Sequence, residues 1–284
     1  MNNLIFTTDN DKYFDYTLHP YTPLSATKNK LKSINLLINS FEYMRCKNSL
    51  FGLVTDIQKK IGFDKTIFGI KKMNDEIFWE FYFYNYNKID PLVTMSNIKK
   101  ILHPYFIINS CPAEDINYFM FSIDIKKGVV DSGKAGNFHV YLSDYEKRAA
   151  GVCYLLKNNK LKLENYYMFY NPKLEKEEIL KNIKSLLSIN FNRVNLNKIL
   201  KPEFLSCKKI CIAKKKFCNG IYFSGLNIKQ FLVFLKLFKY PESMVNFVEK
   251  NKSKLNHLMY DIGFDFLVRN QKVFIKKSSY YGIF

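Results

Sequence analysis

Phe119-Met120-Phe121-Ser122-Ile123-Asp124-Ile125 and, a short distance on, Phe138-His139-Val140-Tyr141-Leu142-Ser143 are the two runs from which the fold is read. In the first, Phe119, Phe121, Ile123 and Ile125 fall on one face while Ser122 and Asp124 point the other way. In the second, His139, Tyr141 and Ser143 share a face. A period of two with one apolar face is the pattern of a half-buried strand. The stretch between them, Gly128 to Gly136, is glycine-punctuated as a long hairpin loop would be.

The same strand pair recurs in both directions along the chain. Upstream, strand-like runs at Thr66–Met73 and Ile77–Asn85 meet across Asn74-Asp75. Downstream, Gly151–Lys157 meets Leu163–Tyr170 around Lys157-Asn158-Asn159-Lys160, Lys208–Lys214 meets Phe217–Ser224, and Ile262–Arg269 meets Lys272–Tyr280. Helical spacing runs over Leu31–Tyr43, Leu53–Ile61, Pro91–Leu102, Leu174–Ile189, Asn227–Phe238 and Glu242–Leu258, so helical segments lie between most of the hairpins. Glu175, Glu177 and Glu178 sit in the first turn of the fourth of these, where the helix dipole favours acids. Turns this short exclude parallel crossovers, so the sheet is expected to be antiparallel. Ten open strands tend to curl or close to remove their edges, and helices on the outside would leave the second strand face free to line a lumen. The expectation is an α+β fold: a ten-stranded antiparallel barrel built of repeated helix-helix-strand-strand units, with no linker dividing residues 1–284 into separate domains.

The chain has 284 residues, 48 % hydrophobic and 24 % charged, the composition of a packed globular protein. No apolar run approaches the ~18 residues a bilayer span needs, and the longest, Phe231 to Phe238, is broken by Lys236. No membrane partner is expected. The opening Met1-Asn2-Asn3-Leu4-Ile5-Phe6 lacks a basic region followed by an apolar stretch, which predicts a cytoplasmic protein with reduced cysteines. A net charge of +19 points first to polyanions. Yet only Arg45, Arg148, Arg193 and Arg269 are arginine, and the planar fork of arginine is what base and phosphate readout usually uses. Lysine excess with abundant Asn, Ile, Phe and Tyr reads as AT-rich coding bias, no zinc-finger spacing or RNP-like motif is present, and nucleic acid is not the expected partner. A small phosphorylated ligand fits the charge.

The order of elements resembles the ABBA-fold aromatic prenyltransferases, soluble enzymes in which five ααββ repeats form a ten-stranded barrel ringed by helices. Local echoes are Trp79-Glu80-Phe81, Phe121-Ser122-Ile123-Asp124 leading through the glycine-containing turn to Phe138-His139-Val140-Tyr141, and Lys276-Lys277-Ser278-Ser279-Tyr280-Tyr281-Gly282-Ile283. The resemblance implies electrophilic aromatic substitution: an allylic diphosphate ionises in the barrel and an aromatic small molecule or peptide side chain attacks the cation. Such chemistry needs cationic or hydrogen-bonding groups where the leaving group gathers charge, an aromatic wall for the carbocation, and exclusion of water. By resemblance, Glu80 is an acid near the diphosphate and a candidate metal ligand, Lys276 a diphosphate lysine, and Tyr280 and Tyr141 wall residues. Two residues before Tyr141 the family tends to have lysine and this chain has His139, which is carried as a diphosphate contact. Arginine, often present on the eighth strand, is absent from Asn219-Gly220-Ile221-Tyr222. Strand parity adds Lys71 and Lys209 as diphosphate contacts and Tyr82, Tyr84, Tyr166 and Tyr222 as substrate contacts. No cofactor is required by this reading, and magnesium is optional.

Other readings of the same residues stand beside these. Glu80 between Trp79 and Phe81 would equally serve in a core ion pair with Lys71 or a neighbouring lysine. Tyr82 and Tyr84 would pack, and Lys276 is one lysine among many. Cys207, Cys211 and Cys218 lack a CxxC pair and a nearby histidine, and so read as thiols rather than zinc ligands. His19, His103, His139 and His257 form no metal motif, and there is no nucleophile elbow, Walker loop or DDxxD-type cluster. The rival functions are a non-catalytic basic protein binding nucleic acid or another protein, with a lumen plugged by apolar side chains, and a barrel that holds a lipid-like ligand without turning it over.

Overall fold

In the computed structural model, residues 4–8, 11, 21–144, 150–187 and 194–284 are described; His19, Arg148, Arg193 and the end of the Leu174–Ile189 helical run lie outside them. Ten strands close into one antiparallel barrel: β1 (Thr66–Met73), β2 (Glu76–Tyr84), β4 (Met120–Ile125), β6 (His139–Asp144), β7 (Ala150–Lys157), β8 (Lys160–Tyr170), β9 (Lys209–Lys215), β10 (Asn219–Leu226), β11 (Tyr260–Arg269) and β12 (Lys272–Ile283). Each strand pairs with its sequence neighbour, and β1 with β12, where Ile70 faces Tyr280 and Gly69 faces Tyr281, seals the seam. Closure leaves no edge for another chain to pair with. All five sequence hairpins are present. Two of their turns, Asn158-Asn159 and Asn270-Gln271, hold both residues at positive φ, as the two-residue turns that match strand twist require.

Helices α1 (Ile34–Tyr43), α2 (Lys47–Ile61), α3 (Met95–Leu102), α4 (Lys127–Ser132), α5 (Lys176–Leu187), α6 (Ile228–Leu237), α7 (Glu242–Lys250) and α8 (Lys252–Leu255) accompany the barrel. Thr94 caps α3, and Asn227 with Gln230 forms a capping box at α6. The repeat drifts: among the described residues two helices precede the first hairpin, three the last, one the second and one the fourth, and none stands between β6 and β7. The Gly128–Gly136 stretch holds α4 and β5 (Lys134–Ala135), which pairs in parallel with β3 (Ile107–Ile108) outside the barrel.

The main core lies between the strands and the helices. Phe68, Trp79, Phe81, Phe121, Ile123, Phe223 and Phe264 point outward into it and meet Leu37, Phe41, Leu53, Ile57, Phe231 and Leu235. Each such side chain contributes about 1.5–3 kcal/mol on burial. Trp79 fixes the register of α1 on β2: its ring meets Phe41 edge-on at 5.0 Å and its Nε1–H donates to Ser40 Oγ at 2.8 Å. With one face of most strands spent on this shell, the alternate residues face the lumen.

Candidate functional site

The lumen is a cavity of about 800 Å³. Its waist is a closed ring of five tyrosines, Tyr82, Tyr141, Tyr167, Tyr222 and Tyr281, each supplied by the second strand of one hairpin. Successive centroids are 6.3, 6.2, 6.3, 6.3 and 6.0 Å apart, and the last distance returns from Tyr281 to Tyr82. Glycines on the first strands make room for it: a Cβ at Gly263 would lie 2.1 Å from the Tyr222 ring, and one at Gly69 would lie 2.9 Å from Tyr281. Burial raises the pKa of all five phenols, so the ring is neutral.

Towards the hairpin turns the lumen is charged. Glu80, 3 % exposed, receives hydrogen bonds from Tyr82 and Ser122 and, at 3.3 Å, from Tyr141; Lys71 pairs with it and also reaches Asp124 at 2.9 Å. Burial disfavours ionisation of Glu80, but Lys71, His139 and Ser122 outweigh it and hold the carboxyl well below its usual range. Burial likewise opposes the charge on Lys71, and Asp124 and Glu80 restore it. His139 bridges two acids, with Nε2 3.2 Å from Glu164 and Nδ1, which has no hydrogen-bond partner, 3.7 Å from Glu80. Burial lowers the pKa of His139, and Glu164, Asp124 and Glu80 more than reverse this.

A second cluster sits on β9 to β12 and adjoins the first at the β1–β12 seam. Lys215 and Lys277 share the buried Asp265, at 2.7 and 3.2 Å, and Lys215 also donates to Tyr222 Oη at 2.8 Å. Two ammonium groups here face one carboxylate. Burial and the neighbouring Lys215 and Lys71 accordingly lower the pKa of Lys277, while the two lysines hold Asp265 below its usual range against its burial.

Of the residues singled out by sequence, Lys71, Glu80, Tyr82, Tyr84, His139, Tyr141, Lys209 and Tyr222 line this cavity, with Lys209 at the opposite end from the ion pairs. The core ion pair weighed for Glu80 and Lys71 is present. Three residues are elsewhere. Tyr280 faces the outer shell, its ring edge-on to Phe231 at 5.0 Å; Lys276 is exposed; and Tyr166 shares the outer face of β8 with Met168 and Tyr170. Their lumen places are taken by Tyr281, Lys277 and Tyr167. Two β-bulges cause the exchange. Asp265 pairs with Lys277 but Phe266 with Ile275, and Cys153 pairs with Asn165 but Tyr154 with Leu163, so Lys276 and Glu164 are extra residues that invert parity along the rest of their strands.

Lys215, Asp265 and Lys277 escaped the sequence reading altogether. The only sign of them is a charged residue at lumen parity near the turn end of each of three strands. Among the described residues no group of three or more His, Cys, Asp or Glu side chains is placed to hold a metal ion, and both oxygens of Glu80 are engaged by Lys71, Tyr82 and Ser122. Cys153 and Cys211 also face the cavity, and burial pushes the Cys153 thiol up to about 12, which leaves it un-ionised. No helix among the described residues is long and apolar enough to cross a membrane. No family model matches the chain, and no curated protein matches it.

Proposed function

We propose that the chain is an aromatic prenyltransferase that moves an allylic group from its diphosphate to an aromatic small molecule or peptide side chain. The observation that carries this is the five-tyrosine ring. At centroid spacings of 6.0 to 6.3 Å, a cation on the ring axis lies roughly 5 Å from every centroid, inside the ~6 Å reach of cation–π attraction. A ring assembled from all five hairpins has no packing role that a plug of leucines would not fill better. The open cavity also disfavours the reading of a basic binding protein with a plugged lumen.

In this account the donor's allylic C–O bond breaks with its electron pair leaving on the diphosphate. Lys215 and Lys277, with one carboxylate between them, and the Tyr222 hydroxyl receive the developing charge. The cation is held in the tyrosine ring, the acceptor's π electrons form the new C–C bond, and the arenium proton passes to Glu80, a buried carboxylate of the lumen. The acceptor's own hydroxyl or N–H hydrogen-bonds there. Lys71 keeps Glu80 ionised rather than binding donor. Magnesium, if used, would accompany the diphosphate.

The test is incubation with dimethylallyl or geranyl diphosphate and a panel of phenols, indoles and Tyr- or Trp-containing peptides, following diphosphate release together with a prenylated product by mass. Product that vanishes in Glu80→Gln and falls in Tyr281→Leu is expected. Diphosphate release with no prenylated acceptor across the panel contradicts the reading. A barrel that binds a lipid-like ligand without turnover is favoured by one observation: Lys71, Lys215 and Lys277 are each already paired. It predicts donor-sized ligands bound with no release of diphosphate.

A further inference from the structure

The three hairpin tips formed by β7–β8, β9–β10 and β11–β12 are consecutive around the barrel rim. Their sequences are Lys157-Asn158-Asn159-Lys160-Leu161-Lys162-Leu163, Lys214-Lys215-Lys216-Phe217, and Arg269-Asn270-Gln271-Lys272-Val273-Phe274-Ile275-Lys276. Apart from the lumen residue Lys215, every Lys and Arg in them is exposed, and none of the three segments contains an acid. Four large apolar side chains stand among these cations. Phe217 is 77 % exposed, Leu163 55 %, Phe274 48 % and Ile275 42 %. A rim of this kind is unusual, because exposed apolar groups are ordinarily scattered and a cluster ringed by charge marks a contact surface.

We infer that these tips dock on the surface of an anionic lipid bilayer. Positive charge alone attracts any polyanion, at about 1 kcal/mol per lysine near an anionic membrane, and weak apolar insertion alone does not hold a protein there; together the two signals do. The apolar groups choose the occupant. Leu163 and Ile275 offer nothing to a nucleic acid base, whereas acyl chains accept them as readily as Phe217 and Phe274, and lysine stems can lie along the interface with their ammonium groups in the headgroups. A second copy of the chain that met these tips with its own would bring two sets of acid-free, lysine-rich segments together and is repelled. Carboxylates of the lumen open towards the same end, Asp124 and Glu164 being 34 % and 32 % exposed, so a docked chain presents its charged mouth to the membrane surface. The mode is surface attachment by hairpin tips, which needs no membrane-crossing helix.

Flotation of the full chain with vesicles tests this, using phosphatidylcholine alone and phosphatidylcholine with phosphatidylserine, at low and high salt. Two variants accompany it, Phe217→Ser with Phe274→Ser and Lys160→Glu with Lys162→Glu, both outside the core, with thermal midpoints checked. The expected result is binding to the phosphatidylserine vesicles alone, weakened by salt and reduced about tenfold or more in each variant. No binding to phosphatidylserine vesicles overturns the inference, as does binding that the variants leave unchanged. Tip-dependent capture of an RNA oligonucleotide or an acidic peptide in place of vesicles also overturns it. No donor or turnover enters the measurement, so its failure leaves the reading of the lumen standing.

Discussion

Tyr280 and Tyr281 are neighbours on β12, yet they belong to different parts of the molecule. Tyr280, 2 % exposed, is wedged in the outer shell between Phe231 and Tyr240, at 5.0 and 5.4 Å. Tyr281 closes the lumen ring between Tyr82 and Tyr222 and hydrogen-bonds with Ser279. The contrast holds along most of the wall. Except on β8, whose outer residues are only partly buried, the outer face is apolar and close-packed, and the inner face is phenolic and charged. Four lysines and five carboxylates line the cavity, so a chain of net charge +19 encloses a lumen close to neutral. The outer face makes the barrel; the inner face is built at a cost in desolvation that packing alone would not require.

Changes placed one residue apart break this comparison, and the largest effects fall on stability. Tyr280→Ala is expected to cost about 3–5 kcal/mol in urea unfolding, as truncation of a large core aromatic does. Glu80→Ala is expected to cost about 3–5 kcal/mol as well, because it strands Lys71 in the wall; Glu80→Leu combined with Lys71→Met recovers most of the loss, since removal of both partners leaves no unpaired charge. Tyr281→Leu is expected to leave stability within about 1.5 kcal/mol, as a roughly volume-conserving change does. It lowers product formation by the ~0.5–2 kcal/mol of one cation–π contact, between about twofold and thirtyfold, read in initial rates at saturating donor.

The smallest effect is in pH. Glu80, Glu164 and Asp265 have folded pKa values below their unfolded ones, so the stability they add is present above the ordinary carboxylate range and is lost as pH falls through the folded values. His139 has the opposite sign: its pKa is raised from 6.5, so its contribution is complete below 6.5 and is lost as pH rises through the folded value. Thermal midpoints measured upward from pH 6.5 should therefore decline slightly, and His139→Asn should flatten that decline while the acid limb stays. An unchanged slope in His139→Asn would remove His139 from the network.

The ten strands were legible because nearly every one has an apolar face that must meet the helices, and that face repeats every second residue in Phe119 to Ile125 as in Phe138 to Ser143. The lumen side of β1, β2, β6, β9 and β10 followed from the same parity, which placed Lys71, Tyr82, Tyr141, Lys209 and Tyr222, while Glu80 came from the resemblance. Parity fails where a bulge adds a residue. The resemblance put Lys276 and Tyr280 in the lumen on β12 and parity put Tyr166 there on β8; past the bulges it is Lys277, Tyr281 and Tyr167 that face inward. A bulge has no mark in a single sequence when the extra residue is a lysine or a glutamate rather than glycine. The Lys215–Asp265–Lys277 cluster was hidden for a related reason. It joins Lys215 to Asp265, 50 residues on, through an alignment that β-pairing alone supplies.

We propose that donor diphosphate sits inside the barrel beside Lys215 and Lys277, and two neighbouring lysines, one in the lumen and one outside it, distinguish that placement. Thermal stability of the full chain would be followed with geranyl and dimethylallyl diphosphates, with and without magnesium, for the parent chain, Lys277→Ala and Lys276→Ala. A ligand that binds only the folded state raises the midpoint by mass action. The account predicts a rise that Lys277→Ala abolishes and Lys276→Ala keeps. No rise with either donor, or a rise lost in Lys276→Ala and kept in Lys277→Ala, would contradict it.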